Sequence, residues 1–423
     1  MKALHIKVKK DFIIYLLIFF YPFLPVNYYL GLLSYANICA VLITLIYFLL
    51  YQKGRVINFL KYIPWFWIYL LIYSMFSFVT RSPLAGIATF IGQFCVSIFV
   101  ITITENEKIL YKIIDGIVLG AFFLGIIGIV EAITRQYFFQ SELLDITSSI
   151  RYGVLRCTVT FGHPINFGMY QAIAAILCFY RISQLASSSK KNRYKVAYFV
   201  IVVSMILSVS RLAICFFVAV QMILLLKLGV KRVIKYICII ILAFALIVGI
   251  MDIMGLRILT LFSDMVEMIL GQILGFETVI SNNSIGIGNR FDLYSWVIEA
   301  VRGHELFGMG VGAIFEHKIN AWFTKTSIEV SYLNIYYQCG IVGLLVLILS
   351  YMNVLQFFSK RTNRKIHLSK EKRLTFGNVL LTIFAMYYIC LFGVQETDLS
   401  RLYCLLISLG IAYMRIGRKI ICA

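Results

Sequence analysis

The chain has 423 residues, of which 61% are hydrophobic and only 14% charged, with a mean hydropathy of +0.91. That is far more apolar surface than one soluble core of this length needs, and it indicates a polytopic membrane protein. The net charge of +20 would suit nucleic-acid binding only if a soluble face or domain concentrated it; none does, and that class is excluded.

Apolar stretches of about 17 to 25 residues recur twelve times in chain order, centred near residues 22, 43, 70, 93, 122, 171, 202, 220, 245, 342, 384 and 408. The first follows MKALHIKVKK, is aromatic and interrupted by Pro22 and Pro25, and has no small-residue cleavage site after it. It reads as a retained helix and not as a signal peptide. Loops rich in Lys and Arg stay cytoplasmic, and the alternation along this chain is clean. The segments assigned inside carry 28 basic and 5 acidic residues, those assigned outside 11 basic and 14 acidic. The excess positive charge is therefore a topology signal, with attraction to anionic inner-leaflet lipid. The expected fold is an all-α polytopic membrane protein of about twelve transmembrane helices with both termini cytoplasmic. It divides into residues 1–255 (helices one to nine), 256–330 (one large extracytoplasmic loop) and 331–423 (helices ten to twelve and a cytoplasmic tail). Of ten cysteines only Cys157 falls clearly in an outside loop, so no disulfide framework is implied.

Two outside segments are long, 134–160 and 256–330. The second carries eight carboxylates, from Asp264 to Glu329. Within it, 258–274 (ILTLFSDMVEMILGQIL) places Thr260, Ser263, Asp264, Glu267 and Gly271 on one stripe, which predicts an amphipathic helix lying along the membrane surface. SNNSIGIGN (281–289) reads as a turn-rich connector, and a second helix is expected from Arg290 to about Arg302, followed by the glycine-rich GMGVG. The two halves of the chain show no similarity to one another, which counts against a transporter built from repeats.

Several residues could carry chemistry. Arg211, in SVSRLA, falls where the seventh helix turns into the eighth at the outer boundary. An arginine at such depth is costly unless paired or functional. It is either a snorkelling side chain or an anion-binding guanidinium whose planar fork suits a diphosphate. Arg156 and His163 flank the start of the sixth helix in RCTVTFGHPINFG, where Pro164 suits a first turn. Arg290 opens the second loop helix and is either a solvated charge or an anion ligand. Gly308, Gly310 and Gly312 form turns or allow close backbone approach to a ligand, but they lack the second half of a dinucleotide fingerprint. Glu329, at the outer end of the tenth helix, is an interfacial acid or a general base for a sugar hydroxyl. Trp296, Trp322 and Tyr332 could stack on sugars, and interfacial aromatics are equally expected. His304 and His317 lack metal-ligand spacing, and no HExxH, nucleophile elbow or P-loop occurs.

Together these residues resemble the O-antigen polymerase and O-antigen ligase family, including capsular and exopolysaccharide repeat-unit polymerases. The similarity rests on the order and spacing of RCTVTFGHPINFG, SVSRLA, RFDLYSWVIEAVRGHELFGMGVG and IEVSYLNIYYQCGIVG across residues 152–344. The resemblance implies a GT-C-like, metal-independent membrane glycosyltransferase without a cofactor. It would act on polyprenyl-diphosphate-linked oligosaccharide at the outer face of the inner or plasma membrane, with membrane lipid and a polysaccharide chain-length regulator as partners. Arg211 and Arg290 would hold the diphosphate and neutralise its developing charge, and Arg156, His163, Trp296, Gly310 and Tyr332 would line the substrate cleft. In the ligase pattern a histidine stands where this chain has Glu329. That departure favours a polymerase, with Glu329 as the base. An O-antigen ligase and a lipid-linked oligosaccharide flippase or transporter are the alternatives. The predicted helices hold few ionisable groups, chiefly Asp115, Glu131 and Asp252 near their ends, which favours a surface enzyme over a translocation path. A metal-dependent transferase is disfavoured because the first outer loop, PVNYYLGLLSYAN, has no acid.

Overall fold

A computed structural model describes residues 29–30, 33–34, 38, 41–42, 44–45, 62–76, 94–139, 150–151, 154–185, 188–228, 288–318, 324–326, 328, 330–366, 374–393 and 396–421. Among these residues the protein is a helical membrane protein. Its helices are α1 (Pro64–Phe76), α2 (Phe94–Ile103), α3 (Glu107–Thr134), α4 (Pro164–Gln184), α5 (Ser188–Leu207), α6 (Arg211–Leu228), α7 (Gly288–Ala300), α8 (Ser331–Ile366), α9 (Phe376–Cys390) and α10 (Glu396–Ile421). Three two-residue antiparallel hairpins pair Tyr29–Leu30 with Leu33–Ser34, Ile150–Arg151 with Val154–Leu155, and His317–Lys318 with Thr324–Lys325. Helices α3, α4, α6 and the Ser331–Lys360 part of α8 are long and apolar enough to cross a membrane. The stretches expected near 22 and 245, most of that near 43, the amphipathic segment 258–274 and the connector at 281–287 lie outside the described residues.

Local chemistry fixes where several helices begin. The side chain of Asn106 accepts from the Ile109 N–H (3.0 Å) and that of Thr375 from the Asn378 N–H (3.3 Å), each satisfying a donor that the first turn leaves without an intrahelical acceptor. His163 does the same for α4 through Nδ1, with Pro164 in the first turn.

Helices α3, α4, α5 and α6 pack in succession, α9 closes against α6 and α8, and α10 contacts α3, α4, α8 and α9. Helix α1 lies along α8. Lipid supplies no hydrophobic force between helices, so close packing and interhelical polar contacts must hold them together. At one end of the bundle, the Arg181 end, Arg181 forms a two-pronged ion pair with Asp115 (2.5 and 3.0 Å). At the same end Arg415 donates to the Thr104 carbonyl (2.8 Å) and Gln184 to that of Leu374 (3.1 Å). Between α8, α9 and α10 lies an aromatic core in which Tyr351 stacks on Tyr388 (4.0 Å between centroids), Tyr387 on Tyr403 (5.4 Å) and Phe358 on Phe384 (5.3 Å). The Tyr388 and Tyr403 hydroxyls share a hydrogen bond of 2.7 Å.

Helix α8 is not one rod. At Gly340 the backbone leaves helical geometry (φ 63°, ψ −162°). The rings of Tyr332 and Tyr351 lie 6.3 Å apart, although in a straight helix that separation in sequence would span about 28 Å. The segment 331–339 therefore folds back on 341–366 as a helical hairpin with Gly340 at its tip. The part that can cross the membrane is 341–360, which at about 1.5 Å per residue covers about 30 Å.

Candidate functional site

The end of the bundle opposite Arg181, where α4 and α6 begin, gathers three of the residues singled out in the sequence. The organising group is Glu131, buried near the end of α3. One carboxylate oxygen accepts from the Phe138 N–H (3.2 Å), the other from those of Thr158 (3.1 Å) and Val159 (3.0 Å). The carboxylate thus folds both ends of the 135–159 connection onto α3. Tyr137 adds a hydrogen bond to the Arg156 carbonyl (3.0 Å). The next residue, Cys157, is tied to the end of α5 through its N–H to the Leu207 carbonyl (3.4 Å) and its thiol to that of Ser204 (3.6 Å). Burial, and after it the nearby Glu131 carboxylate, pushes the Cys157 thiol well above the ordinary thiol range, which suits a packing group and not a nucleophile.

Arg156 is therefore held beside the α5–α6 turn, and Arg211 is the first residue of α6 on the far side of that turn. The turn also seats the start of α4: a Cβ on Gly168 would lie 2.6 Å from Ser208 Oγ and 2.9 Å from the Ala213 Cβ, so only glycine allows the helices this close. His163 is exposed at the cap of α4, while Arg156 and Arg211 are half-buried. Arg156, Arg211 and the amino ends of two helices lie at this one end of the bundle, and such donors and partial positive charge favour an anion.

A second group forms around the hairpin of α8. Leu293, Val297 and Val301, along α7 and just past it, pack with Phe315, Ile328, Val330, Leu333 and Tyr337 into a separate small core, with Trp296 and Tyr332 at its edge. Trp296 stacks on His317 (4.3 Å, 14° between planes). The Tyr332 hydroxyl donates to the Tyr388 carbonyl (2.7 Å), and its ring packs on Phe392 (4.5 Å). Gly310 is buried, and its N–H donates to the Gln338 carbonyl (2.8 Å).

That last bond belongs to a backbone clasp. Met309 N–H donates to the Tyr337 carbonyl (2.8 Å), while the N–H groups of Ile341 and Val342 donate to the carbonyls of Glu305 (2.8 Å) and Leu306 (3.2 Å). The GMGVG segment is thus a partner for the backbone groups released at the break in α8, not a free turn. A Cβ on Gly308 would lie 2.6 Å from the Gly340 nitrogen, and one on Gly340 would collide with the Leu306 carbonyl group. Both glycines have positive φ, 71° and 63°. Val311 N–H reaches the Phe76 carbonyl at the end of α1 (3.4 Å), and the Tyr73 hydroxyl donates to Gln338 Oε1 (3.3 Å). Glu305 begins the clasp, and the Gly303 N–H donating to its carboxylate (2.9 Å) holds its pKa below the ordinary glutamate value.

The structure therefore places Arg156, His163 and Arg211 at one end of the bundle and Trp296 and Tyr332 at the edge of the second small core, with Gly310 apart from them in the clasp at the hairpin tip. The two are joined through α9, which packs on α6 and on α8, and through the Ser331 N–H to the Leu391 carbonyl (3.0 Å). Arg290 lies in the first turn of α7, a helix that starts two residues before the expected Arg290 and ends at Ala300. Glu329 lies outside the described residues. Among the described residues no three His, Cys, Asp or Glu side chains gather to hold a metal ion. Sequence reasoning noted Glu131 and Asp115 only as ionisable groups near helix ends and passed over Gly340. For the two acids a signal was present, since an acid inside an apolar run needs a partner; for Gly340 there was none, because glycines such as Gly120 and Gly125 sit inside α3 without breaking it. No family model and no curated protein matches the chain.

Proposed function

We propose that the protein is a polysaccharide repeat-unit polymerase of the inner or plasma membrane. In this reading twelve helices cross the membrane, both termini are cytoplasmic, and the Arg211 end faces outward. The observation that carries the proposal is the convergence of Arg156, His163 and Arg211 where α4 and α6 both begin, a rim chemically suited to a lipid-linked diphosphate. The bond between the anomeric carbon of the growing glycan and its phosphate oxygen breaks, and polyprenyl diphosphate leaves. A hydroxyl of the incoming lipid-linked unit forms the new glycosidic bond, and its proton passes to Glu329. Arg211 and Arg290 hold the departing diphosphate, and developing charge there is where such an enzyme gains most. Residues 256–330 cover the substrate.

Envelope glycan size tests this. Deleting the gene should replace a ladder of long polymers by single repeat units. Wild type should restore the ladder, whereas Arg211→Ala at matched membrane levels should not. An unchanged ladder in the deletion overturns the proposal, and a full ladder that never leaves its lipid assigns the protein to the ligase class instead.

A further inference from the structure

We infer that the clasp loop at 305–309 is seated in the membrane: Leu306 and Phe307 enter the edge of the outer leaflet and contact lipid hydrocarbon, as an extension of the lipid-facing surface of α8. This inference does not depend on the enzymatic reading and takes from the proposed function only the orientation of the chain. From 341 to 352 the exposed side chains of α8, Ile341, Leu345, Ile348, Leu349 and Met352, recur at three- and four-residue spacing, which places them on one stripe of a membrane-crossing helix that turns polar only at Gln356, one turn before Lys360. All are apolar, as a surface facing lipid requires. Ile341 stands at the top of that stripe, beside the hairpin tip, and its N–H is bonded to the Glu305 carbonyl. The next bond, Val342 to Leu306, fixes the loop at the same level. Leu306 and Phe307 are 61% and 60% exposed there, so most of both side chains lies outside the protein, although one side of the Phe307 ring meets Phe76 at the end of α1 (6.1 Å between centroids).

Depth follows from length. Lys360 is the first charged residue on α8 after the tip, and the segment 341–360 matches the thickness of the hydrocarbon layer at about 1.5 Å per residue. With Lys360 at one boundary, Ile341 and the loop bonded to it sit at the other. Non-helical backbone is tolerated at such a level only when its polar groups are satisfied by protein. The four clasp bonds pair backbone groups of the loop with those released at the break at Gly340, and the Gly308 N–H donates to the His304 carbonyl within the loop. Leu306 and Phe307 are followed by exposed Met309, whereas the charged residues of this turn, Arg302 and Glu305, precede them. This order separates a polar shoulder from an apolar tip.

The test uses the full chain in phosphatidylcholine–phosphatidylglycerol vesicles, with an environment-sensitive fluorophore attached to Leu306→Cys or Phe307→Cys. Ile348→Cys serves as the lipid-facing reference and Arg302→Cys as the water-facing one, each corrected for labelling of the parent protein. At 306 and 307 the expected result is blue-shifted emission that is lost to shallow doxyl-labelled lipid and largely retained with aqueous iodide. Loss to iodide matching that at 302, with no response to doxyl lipid, overturns the inference. The reference at 348 must respond to doxyl lipid in the same preparations, so a misfolded or uninserted chain cannot imitate the negative result.

Discussion

Glu131 illustrates how much one side chain can organise. Three backbone N–H groups from two sides of the 135–159 connection end on its two oxygens, and the position of Arg156 depends on that arrangement. Glutamine keeps the shape but turns an amide NH2 toward donors, leaving at least one of the three N–H groups without an acceptor. Glu131→Gln should destabilise the protein by about 1–3 kcal/mol, lower its thermal midpoint and speed amide exchange at Thr158 and Val159. Unchanged exchange at those two amides would show that the carboxylate does not hold the connection. The sequence placed Arg156, His163 and Arg211 near one boundary because His163 precedes Pro164, Arg211 follows Ser210, and Arg156 stands in the short segment leading to His163. It could not reveal Glu131 as their support, because its partners are backbone groups, which carry no residue signature.

For whole elements, the least legible feature is α8. An apolar run of this length reads as one crossing, and the aromatic and aliphatic periodicity on either side of Gly340 gives no hint of a reversal. The physical cause lies in a second segment: Gly308 must approach Gly340 so closely that neither can carry a side chain. Gly340→Ala should therefore cost about 1–3 kcal/mol from the strained backbone alone and also displace Leu306. The measurable outcome is protease cutting between Arg302 and Val311 that the parent protein resists. By contrast, α7 was readable to within two residues at its start, since the glycine-rich connector and the turn before GMGVG delimit it from both sides. The amino ends of α4 and α6 were readable for the same reason.

Across the molecule, the helical membrane class was legible from composition and run length, because continuous apolar stretches of this length satisfy their backbone groups in lipid as helices, whereas barrel strands are short and alternate apolar with polar residues. Pairings between distant helices were not. The Asp115–Arg181 pair joins α3 to α4, and Arg181 also lies over the rings of Tyr111 (4.4 Å) and Tyr194 (5.8 Å), so α5 is drawn in as well. Asp115→Asn leaves a guanidinium whose side chain is only 10% exposed without its counter-charge. The expected loss is about 3 kcal/mol, the lower bound for a broken buried pair, because the Asp115 side chain retains 29% exposure. The double replacement Asp115→Leu with Arg181→Met should recover most of it in a denaturation cycle, and failure to recover would mean that the charge itself is required.

The contact of α1 with α8 has a consequence for biosynthesis. Tyr73 and Gln338 are 265 positions apart, and ribosomes add roughly 5–20 residues per second. After α1 leaves the ribosome, its partner therefore takes on the order of 10–50 seconds to be made. Throughout that interval an early helix waits in the bilayer for a late one, exposed to quality-control proteases, and a chain terminated before residue 338 would strand α1 permanently.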